Sequence, residues 1–269
     1  MVRHVQLVAV VGLLMVGGVG AGRPDVAQPR DAVAATVASQ RSGGALIERD
    51  GITASKTVQA VLDRAREAVG GRARLSAVRS LLIDWTLIFE GQRPNPRQWR
   101  MLVPNRFAEI RAQMVYVIDG ANYYQAPEPA KDAKEDARKA MTTTFTEQSL
   151  VLLLRAPSLE PVRAELKDTA AGADREVVFT RPDGSALGID LDASTCRPKA
   201  YYRFSSVTMN GKTTTGTRRV VIDDANQVSG IWFPKAMTIL QEGFPTPVKM
   251  AFTAIRVNEG VTAEDFRSR

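Results

Sequence analysis

Runs of alternating apolar and polar residues, joined by tight turns, constrain this chain more than any other feature. Between residues 81 and 90 every odd position is apolar; these residues are Leu81, Ile83, Trp85, Leu87 and Phe89. A period of two places such side chains on one face of a β-strand. Trp99, Met101 and Val103 continue the pattern after a loop predicted at Pro94-Asn95-Pro96. The first two strands therefore share a long apolar face.

Turn dipeptides mark the strand connections further along the chain. Asp119-Gly120, Asp183-Gly184 and Asn210-Gly211 each separate two extended runs, as in β-hairpins. Nine or so strands joined in this way predict one large antiparallel sheet. Such a sheet is expected to curve strongly and to carry helices on one face, which gives an α+β fold.

Helical periodicity is confined to the start and the middle of the folded part. Val58, Val61, Leu62, Ala65 and Val69 form one apolar stripe, which Ser55 or Thr57 can cap and Gly70-Gly71 can end. A polar helix is predicted over Lys131 to Met141. An apolar run at Leu150 to Leu154 stops before Pro157, and a second short helix is predicted around Val162 and Leu166.

The N-terminus has the pattern of an export signal. Arg3 and His4 precede an uncharged, mostly apolar stretch that ends at Val19-Gly20-Ala21. This arrangement predicts a signal peptide over residues 1–21, with an uncleaved anchor as the alternative. Residues 22–54 hold no sustained apolar period and are predicted to be a flexible leader. One folded domain is then expected over residues 55–269.

Several catalytic classes lack their residues. The only histidine, His4, leaves with the predicted signal, which removes histidine-based triads and zinc sites. Cys196 is the only cysteine, and we expect it to be a small buried apolar residue. No cofactor is expected, since no phosphate loop or dinucleotide fingerprint is present. No metal is expected either, because a calcium site at Asp183, Asp190 and Asp192 would lack a ligand loop of definite spacing. The arginines around Arg97, Arg100 and Arg106 are scattered, so no nucleic-acid partner is expected.

Two enzymatic alternatives stay open. One is a lysine or serine nucleophile, whose partners need not be close in sequence, and the other is a pair of carboxylates. Asp190 with Asp192, or Asp223 with Asp224, could act as an acid and base in a hydrolase. Adjacent acids near strand ends are more often solvated turn residues. The expectation is therefore a protein that is not an enzyme.

The apolar face offers a different activity. It is expected to include Trp85, Leu87, Phe89, Trp99 and Met101, with Leu150 and Leu153 on a covering segment. If helices fill this face it is an ordinary core, and if they fill it partly it is a cavity for an acyl chain. Burying each CH₂ contributes about 0.8 kcal/mol, so a long chain can bind without a polar motif.

Three segments in the second half resemble a known family. In the run from Ile189 to Pro198, the residues Asp192, Thr195 and Pro198 match an Asp-x-x-Thr-x-x-Pro turn between two strands. Val228 to Pro234 is similar to a Val-x-Gly-(apolar)-x-x-Pro turn and strand, and Phe252 to Asn258 followed by Phe266 is similar to a final strand and tail. Over residues 55–269 the sequence resembles the LolA/LolB-like lipoprotein carrier superfamily.

The resemblance implies a half-open antiparallel barrel with a helical lid, an apolar interior and residence in the periplasm. It implies a carrier or binding protein for lipids or acylated lipoproteins, with membrane-bound donor or acceptor proteins as further partners. The alternative on the same fold is a protein-interaction or envelope-sensor module without carrier activity.

Overall fold

The computed structural model describes residues 45–129, 133–167, 174–209, 212–243 and 246–267. In these ranges 14 strands form one sheet, more than the nine or so predicted. The strands are β1 Leu46–Arg49, β2 Ile52–Ser55, β3 Ser80–Ile88, β4 Asn95–Leu102, β5 Arg106–Arg111, β6 Met114–Asp119, β7 Asn122–Ala126, β8 Val162–Lys167, β9 Arg175–Thr180, β10 Ala186–Leu191, β11 Pro198–Met209, β12 Lys212–Val228, β13 Ile231–Gln241 and β14 Val248–Val257. Their order in the sheet is β1-β2-β8-β9-β10-β11-β12-β13-β14-β3-β4-β5-β6-β7.

Every neighbouring pair is antiparallel except β2 and β8, which run parallel. Within the described part of the chain, the sheet is accompanied by three α-helices, α1 Lys56–Ala68, α2 Arg72–Ala77 and α3 Lys134–Leu153, and by a 3₁₀ turn at Ala263–Phe266. The predicted α+β class is confirmed in this form, a sheet-dominated fold with few helices. No helix among the described residues combines the length and the apolarity needed to cross a bilayer.

Helix α1 begins and packs as its sequence predicts. The Ser55 hydroxyl accepts a hydrogen bond from the Val58 backbone N–H at 3.4 Å and caps the first turn. The stripe residues Val58, Val61, Leu62, Ala65 and Val69 are all buried. The helix stops before Gly70, whose positive φ and close approach to the Gly230 backbone exclude a side chain there.

Helix α3 is longer than predicted, because one helix joins the polar segment to the apolar run at Leu150. The threonines between the two segments do not interrupt it. The Thr142 and Thr144 hydroxyls each donate to the backbone carbonyl four residues earlier, both at 3.0 Å, which keeps these side chains compatible with a helix. The helix ends at Leu153, and the next residue, Leu154, takes the left-handed conformation. Lys131 and Asp132, at the predicted start, lie outside the described residues.

Two predicted local structures are wrong. Val162 and Leu166 lie in strand β8, because pairing with β2 and β9 supplies hydrogen bonds that an isolated helix here would lack. The predicted loop at residues 94–96 ends early, since Asn95 and Pro96 already pair with β3. Pro96 is tolerated at this position because it lies near the beginning of its strand.

The predicted leader ends earlier than residue 54. Strands β1 and β2 form a hairpin within residues 46–55, and the hairpin is fixed by β8 and by α1. The Gln59 amide on α1 donates to the Ile52 carbonyl at 3.0 Å. Ordering therefore comes from pairing with distant elements, which local composition does not show. Residues 1–44, including the predicted signal peptide, lie outside the described residues.

The segments that carry the family resemblance form turns and packing contacts. The Asp192 carboxylate accepts from the Thr195 backbone N–H at 2.7 Å in the turn that joins β10 to β11. Gly230, with φ +74°, makes the turn between β12 and β13. At the end of β14 the Asn258 side chain accepts from the Ser80 N–H at 3.1 Å, and Phe266 is fully buried. The predicted hairpin dipeptide Asn210-Gly211 lies outside the described residues.

Candidate functional site

The register of the sheet defines one surface that we call the inner face. Residues opposite each other on neighbouring strands point to the same side of a sheet. Trp85 on β3 is opposite Arg97 on β4, and Arg97 is opposite Arg111 on β5. In the same way Trp99 on β4 is opposite Glu109 on β5. The inner face therefore carries tryptophans and charged side chains together.

Six of the seven residues predicted to line a cavity lie in one buried cluster on this face and on α3. At most 2% of the surface of each is exposed, and they are Trp85, Leu87, Trp99, Met101, Leu150 and Leu153. Phe89 is partly buried and packs against the same cluster. The ring centroids of Trp85 and Trp99 are 4.6 Å apart. The sequence thus located one apolar surface, and its use as a ligand cavity stays a prediction.

Helix α3 contacts two distant parts of the inner face. The Phe145 ring stacks on Phe107 of β5 with centroids 5.4 Å apart. At the other part, the Glu147 carboxylate forms an ion pair with Nη1 of Arg203, on β11, at 2.8 Å. Since β5 and β11 are distant in the strand order, one helix can reach both only if the sheet curls around it.

Charge interaction across the sheet indicates the same curl. Arg218 on β12 lies close enough to Glu109 on β5 for their charges to interact. Five strand spacings of about 4.8 Å would separate these strands by about 24 Å in a flat sheet. The inner face is therefore concave, with β5 and β12 facing each other across it.

Buried charge forms a second part of the site, which we call the charged band: Arg97, Glu109 and Arg111. Nη1 of Arg97 lies 3.2 Å from Oε1 of Glu109, and Nε of Arg111 lies 2.7 Å from the same oxygen. The Glu109 side chain is fully buried, and those of Arg97 and Arg111 are 1% and 7% exposed. Two guanidinium groups thus share one carboxylate oxygen away from water.

Several buried polar atoms at the charged band have no hydrogen-bond partner among the residues that the structure describes. They are Nε of Arg97, Oε2 of Glu109, and the indole nitrogens of Trp85 and Trp99. On α3, Oε1 of Gln148 and Oγ of Ser149 are in the same condition. Buried polar groups are nearly always paired, and an indole N–H normally finds an acceptor. Such a concentration is what a site for a polar group of a ligand, or for bound water, requires.

Burial also shifts the acid–base equilibria of the band. It lowers the pKa of Arg97, and the positive charge of Arg111 lowers it further. Desolvation raises the pKa of Tyr116, whose hydroxyl lies 3.5 Å from Nη1 of Arg111. The Arg111 guanidinium also lies over the Tyr116 ring, with Cζ 4.7 Å from its centroid. The band therefore holds positive charge under conditions that disfavour it.

Sequence reasoning missed the charged band, although one signal was available. Arg97 occupies the same strand phase as Trp99 and Met101, and Glu109 and Arg111 share a phase with Phe107. A charged residue in the apolar phase of a strand must be buried unless the strand is irregular. The arginines near Arg97 were instead considered only for nucleic-acid binding, for which they are too scattered.

The four carboxylates considered for catalysis are each engaged in local contacts. Asp190 pairs with Arg219, and Asp223 accepts from the Thr238 hydroxyl at 2.6 Å. The Ser194 hydroxyl and the Thr195 backbone N–H lower the pKa of Asp192. An ion pair with Lys235 lowers the pKa of Asp224.

Two further expectations concern Cys196 and metals. Cys196 is only partly buried, against the prediction of a buried residue, and it occupies a left-handed position in the turn before β11. The described residues contain no cluster of three or more histidine, cysteine, aspartate or glutamate side chains arranged to hold a metal ion.

Comparison with known proteins gives structural likeness only. No protein-family model matches the sequence, and no curated protein matches it. The chain is similar in structure to a protein domain from Vibrio parahaemolyticus assigned to outer-membrane lipoprotein sorting, with 12% identity, a TM-score of 0.43, and coverage of 77% of this chain and 96% of that one.

Two other solved structures are similar to comparable extents. A LolA superfamily protein from Nitrosomonas europaea gives 8% identity and a TM-score of 0.40, covering 78% of this chain and 97% of that one. A DUF1329 family protein from Desulfovibrio piger gives 8% identity and a TM-score of 0.45, with the same coverages of 78% and 97%. These neighbours include the family that the sequence motifs resemble. At such scores the likeness carries no functional argument.

Proposed function

We propose that this chain is an exported, periplasmic binding protein or carrier for lipids or acylated lipoproteins. The acyl chain lies between the concave inner face and helix α3, which acts as a lid on a half-open barrel. Apolar burial provides the affinity, and movement of α3 releases the ligand to a membrane-bound acceptor. The proposed cavity residues are Trp85, Leu87, Phe89, Trp99, Met101, Leu150 and Leu153.

One observation carries this proposal: the concave aromatic surface contains buried polar atoms that no described residue satisfies with a hydrogen bond. Trp85 and Trp99 are both at most 1% exposed, and neither indole N–H has an acceptor. In an ordinary protein core, such buried polar groups form hydrogen bonds. Small-molecule sites, in contrast, are mostly apolar and contain a few polar groups reserved for the ligand.

The proposal is tested first by native mass spectrometry with lipid extraction, on protein purified without detergent. A co-purifying acylated species that is released on denaturation supports the proposal. Empty protein that also fails to take up a fluorescent fatty acid contradicts it.

A variant series then locates the ligand. Trp85→Glu and Leu150→Gln each place a polar group in the proposed cavity, from the sheet and from α3. Both are expected to abolish uptake of the fluorescent fatty acid in protein that remains folded by circular dichroism. Phe204→Glu is the control, because Phe204 is 72% exposed on the other face of the sheet. Unchanged uptake by folded Leu150→Gln and Trp85→Glu proteins would place the ligand elsewhere.

A protein-interaction module is the second candidate, and the outer face supplies its observation. Phe204 on β11 and Leu240 on β13 are 72% and 40% exposed, on either side of β12. Exposed apolar side chains that lie together are typical of interaction surfaces. Absence of both co-purified lipid and uptake, with binding to a defined partner that Phe204→Ser abolishes, would favour this candidate.

A further inference from the structure

We propose that the charged band binds an anionic oxygen group, a phosphoryl or a carboxylate, carried at the end of the acyl ligand. The inference deepens the proposed function and rests on it for the acyl chain, while the anion site rests on the band itself. The ligand is thereby narrowed from any apolar chain to an acidic amphiphile.

The buried charge of Arg97 is the first argument. The Arg97 side chain is 1% exposed, and its carboxylate partner, Glu109, is shared with Arg111 through the same oxygen, at 3.2 Å and 2.7 Å. A buried charge whose counter-ion is shared is costly, and a bound anion would compensate it.

Hydrogen-bonding capacity is the second argument. Nε of Arg97 and the indole nitrogens of Trp85 and Trp99 are buried donors without acceptors. They belong to one patch, since the two indole rings lie 4.6 Å apart and Cζ of Arg97 lies 5.2 Å from the Trp85 ring centroid. Phosphoryl and carboxylate oxygens accept several N–H groups at once, and arginine suits them best. Oε2 of Glu109 adds one unused acceptor, which fits a ligand hydroxyl beside the anion.

The position of the patch is the third argument. Trp85 and Trp99 belong both to the apolar cluster and to the surroundings of Arg97. A ligand that fills the apolar surface and ends at these indoles therefore brings its head group to the guanidinium. This is the arrangement that an amphiphile with one acidic end requires.

The test compares two probes that share an acyl chain and a glycerol and differ by one phosphoryl group. A lysophosphatidic acid and the monoacylglycerol with the same chain are titrated below their critical micelle concentrations, in a buffer without phosphate or carboxylate. Isothermal calorimetry is expected to give at least about tenfold tighter binding of the phosphorylated probe, as charge-assisted hydrogen bonds predict. Inorganic phosphate alone is the third titrant and separates a lipid head group from a free anion.

Three variants assign the effect to the band. Arg97→Met should reduce the preference for the phosphorylated probe to near one. Glu109→Gln removes a buried negative charge and should increase affinity for that probe several-fold, whereas a purely structural role predicts loss in both variants. Arg100→Met is the matched control, because Arg100 lies on the same strand but on the opposite face, paired with Asp265. Its preference should equal that of the unchanged protein.

The outcomes separate this inference from the proposed function. Equal binding of both lipids overturns the anion site and leaves the acyl-binding function standing. Binding of inorganic phosphate alone, lost in Arg97→Met, supports the anion site and overturns the lipid ligand. Binding of none of the three probes overturns both. A preference that Arg97→Met and Arg100→Met reduce equally reflects surface charge and also overturns the inference.

Discussion

Two buried arginines, Arg66 on α1 and Arg97 on β4, show how the same residue serves different ends. The Arg66 side chain is 2% exposed and that of Arg97 is 1% exposed. Arg66 donates to the Leu154 carbonyl from Nε at 3.2 Å and from Nη2 at 3.0 Å, and to Asp63 from Nη1 at 2.9 Å. Arg97 has a single carboxylate partner, Glu109, and its Nε has none.

The difference separates a region whose buried donors are paired within the protein from a region where a buried donor is left unpaired. The last carbonyls of a helix lack partners within the helix, and Arg66 supplies one to the end of α3. Its donors are used up in joining α1 to α3, which is a structural role. Arg97 keeps donor capacity in a place without water, which costs stability unless something else binds there. Four predictions test this distinction.

The largest effect is expected at Arg66. Arg66→Met should destabilise the protein by about 2–3 kcal/mol, because it removes two hydrogen bonds to the Leu154 carbonyl and leaves that buried acceptor unsatisfied. The free energy of unfolding is measured in urea. Arg72→Met is the control, since Arg72 is 44% exposed and 4.0 Å from Asp50, and it should cost less than about 1 kcal/mol. A loss at Arg66 as small as this control would deny it the structural role.

A smaller effect is expected at Arg97. Arg97→Met should cost less than about 2 kcal/mol, because Glu109 keeps its 2.7 Å bond to Arg111 and the unpaired Nε is removed. Burial and Arg111 already lower the pKa of Arg97, so the charge is held there at a cost. The same urea experiment compares it with Arg66→Met. Equal losses in the two variants would show that both arginines are structural.

Features of the fold and the site that depend on local sequence patterns could be predicted from the sequence. The strand phase of Trp85, Leu87, Trp99 and Met101 predicted the apolar inner face, because a period of two is a local property of the chain. The stripe of α1 was equally local. These predictions hold because each residue's face follows from its own strand or helix.

What failed depended on distant partners. Val162 and Leu166 have helical spacing, yet pairing with β2 and β9 places them in a strand. The charge of Glu109 acts on Arg218 across the curled sheet, and no local pattern encodes that curl. The contact of Arg66 with Leu154 spans 88 residues. Long-range pairing was therefore the missing information in each case.

A third prediction concerns the unpaired indoles beside Arg97. Trp99→Phe should cost only about 1 kcal/mol, because it removes some buried area but no hydrogen bond. Urea unfolding with purified, lipid-free protein measures the change. If a buried acceptor in the protein did pair with the indole, leaving it unsatisfied would add about 1–3 kcal/mol to the loss. A loss in that range would mean that the Trp99 indole is already hydrogen-bonded within the protein.

The smallest effect is expected at Asp192, a surface carboxylate that contrasts with Glu109. Its Oδ1 accepts from the Thr195 N–H at 2.7 Å and from the Ser194 hydroxyl at 2.7 Å, whereas Oε2 of Glu109 has no donor. These hydrogen bonds lower the pKa of Asp192 below its ordinary value of 3.8 in the folded state.

The sign of the pH dependence follows from that direction. A carboxyl whose pKa is lower when folded stabilises the protein above its unfolded pKa, and the contribution is lost as the pH falls through the folded pKa. Asp192→Asn should therefore be slightly less stable than the unchanged protein at pH 6, and the gap should narrow below about pH 4. Urea midpoints from pH 6 to pH 3 measure the gap. Ser194→Ala removes one donor, so its stability difference from the unchanged protein should narrow in the same way but by less. A difference that widens in acid would contradict the assignment of Asp192 as a charged turn acceptor.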